Sequence, residues 1–514
     1  MPINIATALC RSDLLGTEGK LEFIETHISW VILAGEFAYK IKKPVDLGFV
    51  DFTTLEKRKY FCMEEVRLNR RLAPDLYIGV VKICGTVESP ILDGVGNELE
   101  YAVKMRRFPQ DQELSQMVNA GLPGSESFQQ LAEDLAGFHE VAAVAGQDSE
   151  YATPKLVARS ELDNFRVIRS KISDRSLLKR FENLESWTRK SLIRLDEAFL
   201  QRMQNGRIRE CHGDLHLGNL VFLNDRIVAF DCLEFNPELR WIDVASEIAF
   251  LLMDLYFHDH RARALLVLDR YLECSGDYEL IPLLDHYLVY RAMVRAKICC
   301  LQQPSKDWTK SQQNTILKYV SLAEKFTVPR QSPRLIITCG LSGSGKTWIS
   351  GLLVERSEII RIRSDVIRKR HHGLHPMDSS QSEFQSGIYS DNETKYVYTE
   401  LGRLAELILE AGFSVIVDAT FLAESQRRRF SALAKKKSVP FVIIKVEAPY
   451  DVLVSRISSR GKLGKDASEA DLNVLNNQYR NCDPLSSGEL HSTLNIDSTA
   501  TKEQILESIT PLLD

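Results

Sequence analysis

An apolar, β-branched run at 334–338 leads into Gly340-Leu341-Ser342-Gly343-Ser344-Gly345-Lys346-Thr347, and a helical pattern at 348–356 follows at once. No other stretch constrains the fold as tightly. Glycines at the first, fourth and sixth positions let successive backbone N–H groups curve around an anion. The strand before and the helix after then aim the helix N-terminus at the same point. Lys346 reaches the outer phosphate oxygens, and Thr347 presents a hydroxyl to Mg²⁺. Spacing and context together make a chance match the poorer reading.

Further β-branched runs at Ile359–Arg363, 412–418 and 441–446 are separated by helical patterns. A parallel sheet wrapped by helices, a three-layer α/β/α fold, is the economical expectation. Ligand chemistry then gathers at the strand carboxyl ends, where Asp365 and Asp418 fall. This half resembles the P-loop kinases of the polynucleotide kinase, gluconate kinase and zeta-toxin type. The resemblance implies that Asp365 orients or deprotonates an acceptor hydroxyl and that Arg368 contacts the substrate. It also implies that Arg456 and Arg460 form a lid pair. Four positions apart on a helix, they share a face and can grip one phosphate; a solvated helix face is the plain alternative. Asp418 reads equally as a Walker-B-like acid holding Mg²⁺ through water and as a cap for the loop after it.

A second polar motif stands upstream: His212-Gly213-Asp214-Leu215-His216-Leu217-Gly218-Asn219. Two β-rich runs around Asn224-Asp225 follow, a hairpin signal that returns Asp231 to the loop. Asp214 suits orientation and deprotonation of an attacking hydroxyl, and Asn219 and Asp231 suit the holding of Mg²⁺. The bland reading is a polar turn capped by acids and an amide. With Phe230-Asp231-Cys232-Leu233-Glu234-Phe235, the segment resembles the catalytic segment of aminoglycoside phosphotransferase-like kinases, small-molecule relatives of the protein kinases. The resemblance implies a bilobal, protein-kinase-like fold of α+β type. It makes Asp214 the catalytic base and Asn219 and Asp231 the metal ligands, with Asp243 capping the next helix and bracing the loop.

The stretch before this motif is consistent with that reading. A hairpin is expected at 28–33 and Phe37–Lys42 around Ala34-Gly35-Glu36. Phe37-Ala38-Tyr39-Lys40 stands where the kinase pattern Val-Ala-Ile-Lys would, making Lys40 the lysine that pairs the ATP phosphates. Lys42 shares its strand face and Lys43 lies close, so three solvent-facing lysines are the alternative. A helix at 55–72, capped by Thr53 or Thr54, offers Glu64 and Glu65 as partners for Lys40, and Glu65 is preferred. Strands at 77–83 and 100–105 precede Arg106-Arg107-Phe108-Pro109, the expected linker beside the adenine. No Gly-x-Gly-x-x-Gly precedes the hairpin, a departure from protein kinases. Helical patterns occupy 127–144, 176–204, the stretch from Asp243 to about Leu301, and 316–326. His139 reads as a packed or capping histidine.

At 514 residues the chain needs more than one core. Val328-Pro329-Arg330-Gln331-Ser332-Pro333 reads as a linker, which places a kinase-like domain at 1–327 and a P-loop domain at 334–514. A net charge of −5 argues against bulk binding to nucleic acid or membrane. Two basic clusters stand out: Arg361, Arg363, Arg368, Lys369 and Arg370, and Arg427–Arg429 with Lys435–Lys437. They read as solvated surface or as a groove for a polyanionic acceptor. The second lacks interleaved aromatics, so nucleic acid is the less favoured partner. The apolar stretch 241–257 carries three acids and is no membrane span, and ten scattered cysteines without Cys-x-x-Cys fit a reduced cytoplasmic protein. His371, His372 and His375 lack the accompanying acid or cysteine of a metal site.

The whole chain thus resembles fused aminoglycoside phosphotransferase-like and P-loop ATP-binding proteins. The expectation is two ATP-dependent, Mg²⁺-requiring phosphotransferase modules in tandem, acting on small hydroxyl-bearing molecules. The rivals are one active kinase regulated by a nucleotide-sensing, pseudokinase-like half, and a toxin-like C-terminal kinase of nucleic-acid 5′ ends or nucleotide sugars.

Overall fold

The computed structural model describes residues 5–11, 21–48, 50–146, 149–151, 153–302, 308–330, 332–378, 380, 388, 390–463 and 468–512. Packing groups the chain into two compact units. Met1–Asp134, Phe138–Val167 and Leu192–Asp254 form the first, and Leu135–Gly137, Ile168–Ser191 and Leu255–Asp514 the second. The linker at 328–333 therefore separates the two motifs in sequence, while helices Arg261–Ser275, Ile281–Leu301 and Lys310–Thr327 pack with the P-loop motif. The reason is long-range pairing that no local pattern displays. Arg330, inside the expected linker, forms ion pairs with Asp285 at 2.5 Å and Glu358 at 3.0 Å.

In the first unit six strands form one antiparallel sheet, in the order Glu22–Glu25, Ser29–Ala34, Phe37–Lys42, Glu98–Arg106, Tyr77–Gly85, Pro90–Leu92. The hairpin around Gly35 appears as expected, with Lys40 paired to Val31 on one side and Val103 on the other. Helix Leu55–Asn69 packs on this sheet through Cys62 and Val66. Its N-cap is Thr54, whose hydroxyl accepts from the Lys57 N–H at 3.2 Å. A helix outside the sequence expectations spans Pro154–Lys171. The hairpin after Asn219 joins Leu220–Leu223 to Arg226–Ala229, with both turn residues, Asn224 and Asp225, at positive φ as a type I′ turn requires. Val244–Phe257 is a buried helix, and no helix among the described residues is long and apolar enough to cross a membrane.

In the second unit five parallel strands stand in the order Ile359–Arg363, Ser414–Asp418, Leu335–Cys339, Phe441–Glu447, Thr493–Asp497. Thr493–Asp497, an edge strand with a partly exposed pattern, carries too little apolar character to stand out in the sequence. Helices Lys346–Val354 and Lys502–Ile509 share one core with the sheet through Ile349, Leu352, Leu353, Ile505 and Ile509. The loop between strand and helix tolerates no side chain at its first glycine: a Cβ on Gly340, at φ +153°, would collide with the Val446 carbonyl.

Of the two readings open for the basic clusters, solvated surface fails at Arg361, Arg363, Arg368 and Lys369 in the first and at Arg427 in the second. Arg361 and Arg363 form buried ion pairs, and Arg368 and Lys369 are themselves buried. Arg427 is fully buried: it pairs with Glu489 at 2.7 Å and donates to the carbonyls of Phe421, Leu422 and Pro484. Charge runs look alike in sequence whether or not acids from distant segments close over them. Lys436 and Lys437 do lie on a helix surface, paired with Glu406. Breaking a buried pair leaves an uncompensated charge, which costs about 3–5 kcal/mol. Glu489→Ala is therefore expected to lower the stability of the second unit by about 3 kcal/mol, measured as a shift in its denaturant midpoint, whereas Glu406→Ala shifts it by less than about 1 kcal/mol.

Candidate functional site

Two sites emerge, one in each unit. In the first, Lys40 Nζ lies 2.9 Å from Glu65 Oε1 and 2.5 Å from Asp231 Oδ1. Glu64, the other helix acid offered by the sequence, turns instead to Arg67. Lys42, which pattern alone leaves as a solvent-facing lysine, is 0% exposed; it reaches Glu65 Oε2 at 2.7 Å and also contacts Glu234. Burial by itself would raise the Glu65 carboxyl, but two ammonium groups hold it well below the usual carboxylate range. Glu234 shares only one of those lysines directly, and burial leaves its carboxyl raised. Two carboxylates thus divide Lys42, and of the two Glu65, with a second lysine beside it, is the one held low.

Asn69, one turn after Glu65, ties the helix to the acid strip. Its Nδ2 donates to Glu65 O at 2.8 Å, and its Oδ1 accepts from the Cys232 N–H at 2.9 Å. Asp231 sits at φ +63°, a left-handed conformation that non-glycine residues rarely hold and that gathers at functional sites. Its N–H donates to the Tyr77 hydroxyl at 3.1 Å. Asn219 Nδ2 donates to Asp214 O at 2.9 Å and Oδ2 at 3.1 Å, fixing that carboxylate, and His216 Nε2 stands 3.4 Å from the same oxygen. Asp214, Asn219 and Asp231 are thus set by one loop and the hairpin that follows it.

The loop itself is held by acids read in the sequence only as evidence against a membrane span. Glu247 accepts from the N–H groups of His212 at 2.5 Å and Gly213 at 2.9 Å, and Asp254 accepts from Leu217 N–H at 2.9 Å. Gly213 is at φ +88°, where a Cβ would stand 2.8 Å from the Leu239 carbonyl. Asp243 caps the helix at Ala245 N–H, 2.8 Å away, and pairs with Arg202 at 2.6 Å.

In the second site a cavity of about 630 Å³ opens on the glycine loop. Lys346, Thr347, Asp365, Arg368, Asp418 and Arg456 all line it. In the glycine loop, Ser342 N–H donates to Gln478 Oε1 at 2.9 Å. Lys346 Nζ donates back to Leu341 O at 2.7 Å. Asp418 Oδ2 accepts from Ser350 Oγ at 3.3 Å and lies 3.6 Å from Arg363 Nε. Arg368 donates to Ile388 O at 2.9 Å. Arg456 donates to Ser498 Oγ at 2.7 Å and to the loop carbonyls of Gly343 and Ser344 at 3.3 Å each. It braces the phosphate loop from behind as well as facing the cavity. Arg460 lies on the same helix, Tyr450–Leu463, with its side chain outside the described residues.

Both donor sets fit a nucleotide with a hard cation. An amide oxygen with a carboxylate at Asn219 and Asp231, and a hydroxyl with a carboxylate at Thr347 and Asp418, are oxygen-only sets of the kind Mg²⁺ takes. A helix starting at Lys346 and glycines at positive φ at 343 and 345 supply the anion cradle.

Comparison with known proteins follows the same division. Residues 62–283 match the family described as phosphotransferase enzyme family, and residues 335–485 the family described as AAA domain. The uncharacterized protein Rv2004c of Mycobacterium tuberculosis is 31% identical over 470 residues, covering 91% of each chain. This chain belongs to the same family. Both domains are of kinase type, and the protein is a phosphotransferase with a nucleotide-binding P-loop. Solved structures similar to parts of it include a choline/ethanolamine kinase family protein from Mesorhizobium loti and a gluconokinase from Sinorhizobium meliloti. The first is 12% identical with a TM-score of 0.40 over 62% of this chain and 94% of that one. The second is 20% identical with a TM-score of 0.26 over 36% of this chain and 93% of that one.

The family member's Glu65 has a testable pH signature. A carboxyl held below its unfolded value contributes stability that is full above the usual carboxylate range and is lost as pH falls below it. Glu65→Gln is therefore expected to cost about 3 kcal/mol at pH 7 and clearly less at pH 3, read from denaturation midpoints of the two proteins at both pH values.

Proposed function

We propose that the protein is a tandem ATP-dependent phosphotransferase, each unit moving the γ-phosphoryl group of ATP to a hydroxyl of a small molecule. The observation that carries this reading is the cavity of about 630 Å³ in which the phosphate-binding residues Lys346 and Thr347 face Asp365 and Arg368. Its volume suits a small acceptor beside a phosphate chain. Bound Mg²⁺ would neutralise phosphate oxygens, held by Thr347 and Asp418 in this site and by Asn219 and Asp231 in the other.

The chain's own residues then have distinct tasks. Residues Gly340–Thr347 take the phosphates on backbone N–H groups, with Lys346 leaving the Leu341 carbonyl to reach them. Asp365 orients the acceptor hydroxyl and takes its proton, and Arg368, Arg456 and Arg460 meet negative charge on the transferring group or acceptor. In the first unit Lys40, positioned by Glu65, pairs the ATP phosphates, and Asp214, its carboxylate held by Asn219, takes the acceptor proton.

The test is transfer of label from γ-labelled ATP to a panel of sugars, polyols, amino alcohols, nucleosides and 5′-hydroxyl oligonucleotides. Lys346→Ala is expected to abolish one set of products. Asp214→Asn should reduce the other roughly 10²–10⁴-fold, the span of a lost general base. Label confined to oligonucleotides would replace the small-molecule reading, and no transfer by Lys346→Ala would make the first unit a nucleotide sensor.

A further inference from the structure

The arginines of strand Ile359–Arg363 reach beyond the P-loop motif. Arg361 donates through Nε at 3.2 Å and Nη2 at 2.5 Å to the two oxygens of Asp269, and Arg363 Nη1 meets Glu273 Oε1. Both acids lie on helix Arg261–Ser275. Arg370 Nη2 closes the end of that helix, donating to Glu273 O at 2.6 Å and Cys274 O at 3.3 Å. The side chains of Arg361, Arg363, Asp269 and Glu273 are largely buried. Burial alone would raise the Glu273 carboxyl, yet Arg363, Arg361 and Arg270 hold it below its ordinary range.

The other ends of the same guanidinium groups touch the second site. Arg361 Nη1 donates to Thr347 O at 3.3 Å and Ser350 Oγ at 3.4 Å. Ser350 Oγ in turn donates to Asp418 Oδ2, the oxygen that Arg363 Nε approaches to 3.6 Å. A guanidinium this close to a carboxylate competes with a cation for it. Glu273 opposes that competition by holding the far end of Arg363.

We infer that helix Arg261–Ser275 is a working part of the P-loop site, with Glu273 and Asp269 as positioning residues: Glu273 keeps Arg363 from closing on Asp418, and Asp269 fixes Arg361 against the Thr347 carbonyl. The inference rests on reading Asp418 as an acid that serves Mg²⁺. It means the functional P-loop module extends back into residues matched by the phosphotransferase family, rather than starting at the linker. Removing the Glu273 charge lets Arg363 pair fully with Asp418, so the site needs more Mg²⁺ for the same nucleotide affinity. Affinity for nucleotide without metal stays the same.

The experiment titrates N-methylanthraniloyl-ADP into the full-length chain at stepped Mg²⁺ concentrations and with the metal chelated. Trp348 lines the cavity beside Thr347, so emission sensitised by it, and lost in Trp348→Phe, reports this site alone. Glu273→Gln is expected to raise the half-saturating Mg²⁺ concentration roughly 10–100-fold, the usual cost of losing a group that orients a metal ligand. Metal-free affinity should stay within about twofold, and adding Arg363→Gln to Glu273→Gln should restore the native Mg²⁺ requirement. The inference is overturned by an unchanged Mg²⁺ requirement in Glu273→Gln, or by an equal loss with and without metal. Should Glu273→Gln not fold, Arg363→Gln alone decides: a requirement at or below the native one supports the inference, and a higher one overturns it. Asp418→Asn separates the two layers. If it leaves the Mg²⁺ requirement unchanged, the metal-serving reading of Asp418 fails and takes the inference with it. If it raises the requirement while Glu273→Gln does not, only the role of the helix fails.

Discussion

A charge taken out of water must find an opposite charge or a set of hydrogen bonds, and both sites depend on how that demand is met. In the first unit Glu65 is fully buried and lies between two lysines, so the helix that carries it is locked to the strand that carries them. In the second, Asp269 and Glu273 are buried against Arg361 and Arg363, which locks helix Arg261–Ser275 to the strand beside the glycine loop. Ion pairs of this kind add little net stability compared with apolar packing. They do specify where each side chain stands, because any other arrangement leaves a charge stranded.

The same demand acts on backbone groups. A loop that must present Asp214 and Asn219 cannot also satisfy all its own N–H groups by regular pairing. Glu247 and Asp254, on helix Val244–Phe257, take three of them. The glycine loop meets the problem differently. Its N–H groups find acceptors from separate places: Gln478 Oε1 for Ser342, the Thr420 carbonyl for Gly340 and the Leu341 carbonyl for Ser344.

Much of the fold was legible because local pattern and tertiary context agree. The hairpin around Gly35, the type I′ turn at Asn224-Asp225 and the strands at Ile359–Arg363 and Ser414–Asp418 all carry alternation or turn chemistry that needs no distant partner. Strand Thr493–Asp497 lacks such a signal, whereas helix Pro154–Lys171 carries an amphipathic pattern that the sequence reading does not take up, its buried face including the polar Glu161 and Asn164. Glu247 was visible in principle, since an acid inside an apolar helix must have a partner.

What the sequence determined by itself was the residue set of each motif. A glycine-spaced loop closed by Lys346 and Thr347 and a turn carrying Asp214 and Asn219 are short, contiguous devices, and contiguous residues meet wherever the chain goes. What only the tertiary structure decided was the company those devices keep: Lys42 buried between two acids, Arg427 closed over by Glu489, and an arginine-bearing strand claimed by acids some ninety positions earlier in the chain. Ion pairs leave no periodicity along a chain. Their partners are chosen by packing, which a linear pattern does not encode.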